Sequence, residues 1–395
     1  MTSKKIFFLT LVFVGCSAQI ASDIYSPSIS FIAQSLKASI SSVQYSMAIF
    51  MFGLAISQLF YGPLSEGIGR KNSLSIGLII LIIGNLISLF SQNIDLLIAG
   101  RFIQGIGAGA CSALWRSIFR DTFEGAELAK YGSYFSILVT FMVPAAPLVG
   151  GYLQTYFDWR SNFVFLSLYN IFTLFLVLFW FKETNIHQHI SKLSFKFIRQ
   201  SYKEIMLSKV FIGYTLCTFL CYGAFFSWFS VGPVLLIDKV GISPIHFGWI
   251  TLFGGGIFTA LSSWIYGRIV TRIGTNVMLR SGLIIMIISG VILIVGKYMS
   301  GITVWNIVIP MLIFYFGVTF IWPSVFANAF KPFGKTAGYA GGLYGFMQIS
   351  GAAVIGAIVS YLPHRDQIPL GIIFIISAVL AFFVLGYLDC NAKDE

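Results

Sequence analysis

Gly62-Pro63-Leu64-Ser65-Glu66-Gly67-Ile68-Gly69-Arg70-Lys71 is a short polar turn between two long apolar stretches, and 205 residues later Gly267-Arg268-Ile269-Val270-Thr271-Arg272-Ile273-Gly274 repeats its two glycines and the isoleucine before the second. Outward from the first copy, apolar residues run over about 44 to 64 and 72 to 91; the second copy is flanked in the same way by about 245 to 267 and 277 to 297. Unalternating stretches of about 20 apolar residues have the length of a bilayer-crossing helix and argue against the ~10-residue alternating strands of a membrane β-barrel. Both turns join the second and third stretches of a set of six, so position, spacing and residues together indicate a duplicated unit.

Eight more stretches complete the pattern, at about 6 to 24, 95 to 115, 131 to 156, 159 to 181, 210 to 236, 302 to 327, 338 to 362 and 368 to 388. The fold class expected is an all-α polytopic membrane protein with twelve transmembrane helices in two six-helix bundles, residues 1–181 and 210–395, joined by a polar linker at 182–209. Composition agrees: the 395 residues are 57% hydrophobic and only 10% charged, with a mean hydropathy of +0.87, which excludes an ordinary soluble domain and a disordered chain. The net charge of +11 does not point to nucleic acid, because the basic residues are spread over short loops. Lys4, Lys5, Arg70, Lys71, Arg116, Arg120, Lys130, the group from Lys182 to Lys209, Arg268, Arg272, Arg280, Lys331, Lys335 and Lys393 fall on one side, against Lys37, Arg160, Lys239, Lys297 and Arg365 on the other. By the positive-inside rule both termini are expected in the cytoplasm. The start of the chain is read as a first span rather than a cleaved signal, since cleavage near Cys16 would discard most of that span. The cysteines at 16, 111, 217, 221 and 390 show no metal-ligand spacing and are read as small packing residues, and no metal is expected.

Only one acidic side chain, Asp23, lies well inside an apolar stretch, in Ala21-Ser22-Asp23-Ile24-Tyr25-Ser26-Pro27 near the end of the first span. A charge in hydrocarbon costs about 3 kcal/mol or more, so such a group is retained where it faces a protein-lined cavity and binds a proton, an ion or a charged ligand. Its rival reading is a carboxylate near enough to the membrane edge to reach water. In the fourth span, Arg101 and Gln104 are three residues apart on one helix face beside the small residues Gly105 and Ala108. In the fifth, Pro144 and Pro147 interrupt helix hydrogen bonding and Gly150-Gly151 permits close packing, with Gly254-Gly255-Gly256 of the eighth span as the expected partner.

These segments carry a resemblance. The turn at Gly62 to Lys71 resembles the G-x-L-x-D-R-x-G-R-[RK] signature of the major facilitator superfamily, with Glu66 for the usual Asp and Gly67 for the usual Arg; Arg272 stands in the second half where Gly67 stands in the first. Arg101-Phe-Ile-Gln104-Gly105 resembles the superfamily's R-x-x-Q-G motif, and Pro144 to Gly151 followed by Trp159-Arg160 its antiporter motif. With Asp23-Ile24-Tyr25-Ser26-Pro27, Gly232-Pro233 and Ala337 to Gln348, the chain is similar over nearly its whole length to the bicyclomycin/chloramphenicol-resistance (Bcr/CflA) family of drug:proton antiporters.

The resemblance implies a bacterial inner-membrane secondary transporter that exports drug-like or metabolite small molecules in exchange for protons by alternating access. It implies that spans one, four, seven and ten line a cavity that brings Asp23 and Arg101 near each other. Asp23 would then alternate between protonated and charged forms, with Arg101 tuning the balance. Gly62, Glu66, Gly69, Arg70, Lys71, Pro144, Pro147, Gly150, Gly151 and Arg272 would serve the conformational change. Span seven offers Tyr222, Phe225, Phe226, Trp228 and Phe229 and span ten Phe314, Tyr315, Phe316 and Trp322 as an apolar, stacking surface for cargo, with Tyr25, Tyr45, Gln104, Asn328 and Gln348 as polar candidates. The expected partners are the small-molecule cargo, protons and the lipid bilayer; no nucleic acid and no cofactor are expected, and the protein is expected to act as a monomer. An uptake symporter and a non-transporting sensor remain as alternatives. An enzyme is not expected, since His187, His189, His246 and His364 all lie in loops or at span edges and no nucleophile–base or phosphate-loop motif is present.

Overall fold

A computed structural model describes residues 2–185, 202–332, 337–363 and 365–391. Most of the linker, with His187 and His189, and also Lys335, His364 and Lys393 lie outside the described residues. Within them the chain is all-helical with no strand, and twelve helices are long and apolar enough to cross a membrane. They are α1 (Thr2–Asp23), α2 (Ile40–Ile68), α3 (Arg70–Leu89), α4 (Ile94–Thr122), α5 (Gly125–Tyr156), α6 (Arg160–Trp180), α7 (Lys209–Lys239), α8 (Pro244–Ile273), α9 (Thr275–Ser300), α10 (Val304–Phe330), α11 (Ala337–Tyr361) and α12 (Ile368–Asn391). Helices satisfy every backbone polar group within the segment, which hydrocarbon demands. Their starts are set by short polar side chains: the Ser39, Asn93, Ser208, Ser243 and Thr303 side chains accept from the backbone N–H three residues on.

The duplicated turn is visible in the backbone. Gly69 closes α2 and opens α3 at φ 92° and ψ 160°, and Gly274 joins α8 to α9 at φ 83° and ψ 160°. A positive φ of this kind suits glycine and strains any other residue. The turn is tighter than the sequence suggested, because α2 stays helical through Gly62 and Pro63 to Ile68. Gly62 and Gly267, the first glycines of the two copies, have open space where a Cβ would stand, so neither marks a close approach of helices.

The first span departs further from expectation. Helix α1 stops at Asp23, Ser26–Ser28 forms one 3-10 turn around Pro27, and helix resumes over Ile29–Ser35. Pro27 has no N–H to give, so it breaks the ladder for a turn without ending the span, which runs from Lys5 to Ser35. Asp23 therefore sits mid-span rather than near an end.

Helix α4 is the centre of the first half. A Cβ at Gly105 would reach the Phe50 carbonyl of α2, and one at Gly107 the Leu81 N–H of α3, so all three backbones are in contact. Gly282 of α9 and Gly317 of α10 meet in the same way in the second half. Between halves, α5 meets α8 on the face opposite Gly69 and Gly274: Gly151 packs on the Pro244 carbonyl and Gly248 on the Leu148 backbone. Gln44 Nε2 donates to the Ser230 carbonyl at 2.8 Å, and Ser30 Oγ donates to Asp238, closing that face. Toward the basic face, by contrast, the Phe258–Ile273 part of α8 buries only Ser262.

The expected pairing of Gly150-Gly151 with Gly254-Gly255-Gly256 is not what forms. Gly150 packs on the Ile24 carbonyl in its own half, and the triple glycine is wound into a π-helical turn over Thr251–Ile257 that makes only loose contact with α5. One turn of π-helix displaces the residues after it and often marks a functional site.

Candidate functional site

A cavity of about 360 Å³ lies between the halves, closed toward the Gly151–Pro244 contact. Helices α1, α4, α7 and α10 all line it, as the resemblance implied, together with residues of α2, α5, α8 and α11. On α7 the lining residues are Tyr222, Phe225 and Phe229, spaced as one helical stripe. Across from them stand Tyr315 and Trp322 of α10: Phe225 and Trp322 ring centres are 5.1 Å apart, Phe225 and Tyr315 5.7 Å, and Tyr222 and Trp322 6.1 Å. The π-helical turn of α8 adds Thr251 and Gly255. Gln19, Gln58, Ser112 and Gln348 supply hydrogen-bonding groups, with Gln19 Nε2 donating to Tyr222 Oη at 3.4 Å and Gln58 Nε2 to Ser112 Oγ at 3.2 Å. Past Trp115, Arg116 and Phe135 the cavity continues into a second cleft lined by Phe119, Arg120, Gly132 and Ser136, on the basic side.

Of the expected cargo-facing residues, Tyr222, Phe225, Phe229, Tyr315, Trp322 and Gln348 line this cavity and the other eight do not. Phe226 lies on the flank of the α7 stripe, 3.2 Å from where a Cβ of Gly356 in α11 would stand. Trp228 is buried against Phe247, and Phe314 is stacked on Phe374 at 4.0 Å. Asn328 holds the second glycine turn, accepting from Thr275 Oγ1 at 2.9 Å and donating to Asn276 Oδ1 at 2.8 Å. Tyr45 is half-buried away from the cavity, and Tyr25 and Gln104 belong to a separate cluster.

That cluster is built around Arg101, which is fully buried and so does not reach toward water. Its Nη1 donates to the Ala21 carbonyl at 2.9 Å and to Gln104 Oε1, and Gln104 Nε2 donates to Asn85 Oδ1. The guanidinium lies between the Tyr25 and Phe50 rings, 4.4 and 4.2 Å from their centres, an arrangement in which the ring faces attract the cation. Tyr25 Oη shares a hydrogen bond with Ser46 Oγ at 3.1 Å. Among the described residues, Arg101 Nε and Nη2 meet no partner with hydrogen-bond geometry. Asp23 is only 4% exposed, and among the described residues no ion pair joins it to Arg101. Arg101 instead holds the carbonyl two residues before Asp23 and the ring two residues after it. Gln19, one turn before Asp23, places the carboxylate's helix against the cavity wall.

At the first glycine turn, Arg70 Nη2 pairs with Glu66 at 2.7 Å and Nε with Asp121 at the end of α4 at 3.1 Å, and Nη1 donates to Ser65 Oγ. Glu183, just past α6, accepts from the Arg70 and Lys71 backbone N–H groups at 2.9 and 3.0 Å and so caps α3, whose N-cap Gly69 has no side chain to do it. Lys71 Nζ donates to the Leu178 carbonyl. Arg272 is exposed at the end of α8. Sequence reasoning missed Glu183, Asp121, Gln19, Gln58 and the position of Arg116. Arg116 was taken for a loop charge because hydropathy falls near residue 115, whereas α4 runs on to Thr122.

A family model described as Major Facilitator Superfamily matches residues 11–356. Over 393 residues the chain is 27% identical to a bicyclomycin resistance protein homolog of Haemophilus influenzae, covering 99% of this chain and 98% of that one. It is 27% identical to multidrug resistance protein D of Escherichia coli, covering 94% and 93%. Among solved structures it is similar to the xylose transporter of Escherichia coli in a partially occluded inward-open conformation, with a TM-score of 0.74 at 16% identity, covering 96% of each chain.

Proposed function

The chain belongs to the major facilitator superfamily of membrane transporters, and from that premise we propose that it exports drug-like or metabolite molecules across the bacterial inner membrane in exchange for protons. Both termini and the basic face are cytoplasmic in this reading, so the cavity is open inward. The halves 1–181 and 210–395 rock about the cavity as rigid bodies, the linker 182–209 joins them, and the protein works as a monomer.

The observation that carries the proton coupling is Asp23, a carboxylate buried in mid-span at a break in α1, with Arg101 holding the Ala21 carbonyl before it and the Tyr25 ring after it. A carboxylate so placed is neutral when it holds a proton and calls for a countercharge or water when it does not. Protonation from outside and release inside then alternate with cargo binding one helical turn away, at Gln19 and Tyr222. One proton crossing ~150 mV releases about 3.5 kcal/mol, since 100 mV is worth about 2.3 kcal/mol per charge. At about 1.4 kcal/mol per factor of ten, this supports roughly a few-hundred-fold gradient of an uncharged cargo. The similarity to bicyclomycin- and multidrug-resistance proteins supports export over uptake.

Inverted vesicles with an acid interior and a fluorescent pH probe test the reading, with amphenicols, bicyclomycin-like compounds, lipophilic cations and aromatic sulfonates added in turn. Proton release on adding one of them should fall to about a tenth or less in Asp23→Asn at equal expression. Release that persists in the Asn variant refutes the role of Asp23, and cargo accumulation that needs an outside-acid gradient identifies uptake instead.

A further inference from the structure

The cavity contains one formal charge among its described lining residues, and it is positive. Arg116 projects from α4 where the cavity meets the second cleft and lines both. Its guanidinium lies 4.5 Å from the centre of the Trp115 ring, and the residue as a whole is exposed within the opening. One turn further along α4, Arg120 lines the cleft leading to the basic face. No Asp or Glu is among the described lining residues of either space. The carboxylate next to Arg120, Asp121, is engaged by Arg70 at the glycine turn. The Tyr222 and Tyr344 hydroxyls lie near enough to Arg116 to act on its charge, and Gln58, Ser112 and Gln348 line the same space.

An arginine with no carboxylate among the described lining residues around it, in a space walled by Phe135, Phe225, Trp322 and hydrocarbon-embedded helices, sets the sign of what the cavity accepts. Low-dielectric walls strengthen its attraction for an anion and its repulsion of a cation relative to water. The guanidinium fork matches the oxygens of a carboxylate, sulfonate or phosphonate, and its stacking on Trp115 holds the fork in place. The opposite wall is aromatic and apolar, and a cavity of this volume admits a molecule at the small end of the drug-like range.

We propose that Arg116 is the specificity-determining residue of this cavity and that the cargo is an amphiphilic organic oxyanion. Its acidic group pairs with Arg116, its apolar body lies against Tyr222, Phe225 and Trp322, and Arg120 makes the first contact at the cytoplasmic mouth. This rests on the transport reading above and adds the charge of the cargo to it.

Purified full-length protein is titrated at fixed pH, with no gradient, with three probes: 1-naphthalenesulfonate, its uncharged analogue naphthalene-1-sulfonamide, and tetraphenylphosphonium. The wild type should bind the sulfonate about tenfold or more tighter than the sulfonamide, and the cation most weakly. Arg116→Gln should erase the preference for the sulfonate without changing sulfonamide affinity, and Arg116→Lys should retain part of it. Equal binding of sulfonate and sulfonamide by the wild type overturns the proposal. So does absence of saturable sulfonate binding, tighter binding of the cation, or unchanged sulfonate affinity in Arg116→Gln. Because these titrations use no proton gradient, they can fail while Asp23-dependent exchange stands, and the reverse result separates the two readings equally well.

Discussion

Replacing Gly151 with alanine should shift the transporter toward its outward-open state without unfolding it. A Cβ at Gly151 would stand 2.4 Å from the Pro244 carbonyl oxygen, 2.8 Å from the Pro244 carbonyl carbon and 3.1 Å from the Ile245 nitrogen, all of them backbone. Van der Waals contact needs roughly 0.8 Å more than the shortest of these, so α5 and α8 must part by about that much. Overpacking of this kind costs about 1 to 3 kcal/mol. Gly151 and Pro244 belong to opposite halves, so the cost falls only on conformations in which the outer face is closed. The ratio of outward- to inward-open protein should therefore rise about 5- to 150-fold. Any gain in helix propensity from alanine is the same in both states and cancels from the ratio. Gly150→Ala is the discriminating control. Its Cβ would stand 1.7 Å from the Ile24 carbonyl, a worse clash, but within one half and so present whichever face is open. It should lower the melting temperature and leave the ratio alone. Gly255→Ala should do neither, because its nearest neighbour would be Tyr315 at 3.6 Å, an ordinary contact. Spin labels at Gln34→Cys and Lys239→Cys, one on each side of the outer face, report the ratio by pulsed electron resonance. The background needs only Cys390→Ser, since Cys16, Cys111, Cys217 and Cys221 are buried. A Gly151→Ala distance distribution identical to wild type, or the same outward shift in Gly150→Ala, refutes the argument.

Two further outcomes follow from backbone geometry and from the buried network. Gly69→Ala should cost about 1 to 2 kcal/mol and lower the melting temperature, because the residue sits at φ 92°, whereas Gly62→Ala should be neutral or slightly stabilising in a helix with open space around it; equal melts for the two variants contradict this assignment of the turn. Arg101→Lys keeps the charge but cannot hold the Ala21 carbonyl and Gln104 while lying between two rings, so the melting temperature should fall by the equivalent of about 1 to 3 kcal/mol. Proton release in inverted vesicles should fall with it, and wild-type values for both measurements in Arg101→Lys would show that charge alone suffices there.

Twelve helices and a duplicated turn were legible because hydrocarbon admits few alternatives and because Gly69 and Gly274 each need a backbone conformation that most residues avoid. What hydropathy marks is the apolar slab, not the helix, and the differences follow from that. Helix α2 runs to Ile68 and α4 to Thr122, past the last apolar window, since a helix ends where its hydrogen bonds end. The first span was expected to end near residue 24, yet the chain needs only one 3-10 turn around Pro27 before resuming helix to Ser35. The depth of Asp23 thus depended on a backbone detail that no local composition records.

The site was legible in unequal parts for a related reason. Arg101 and Gln104 could be paired from their spacing, since three residues along a helix fix a common face, and the pair is hydrogen-bonded. Which face met the cavity could not be read the same way from aromatics, because a chain that is 17% aromatic offers rings on every side of α7. Tyr222, Phe225 and Phe229 face inward while Trp228, the largest of the set, is buried against Phe247. Charge misled most at Arg116. By the positive-inside rule it counts as one more basic residue near a membrane edge, and the rule is indifferent to whether that residue faces a headgroup or the space between two halves. The packing of α4 against α2 and α3 instead places Arg116 in the cavity wall, where it is the one charged side chain among the described lining residues.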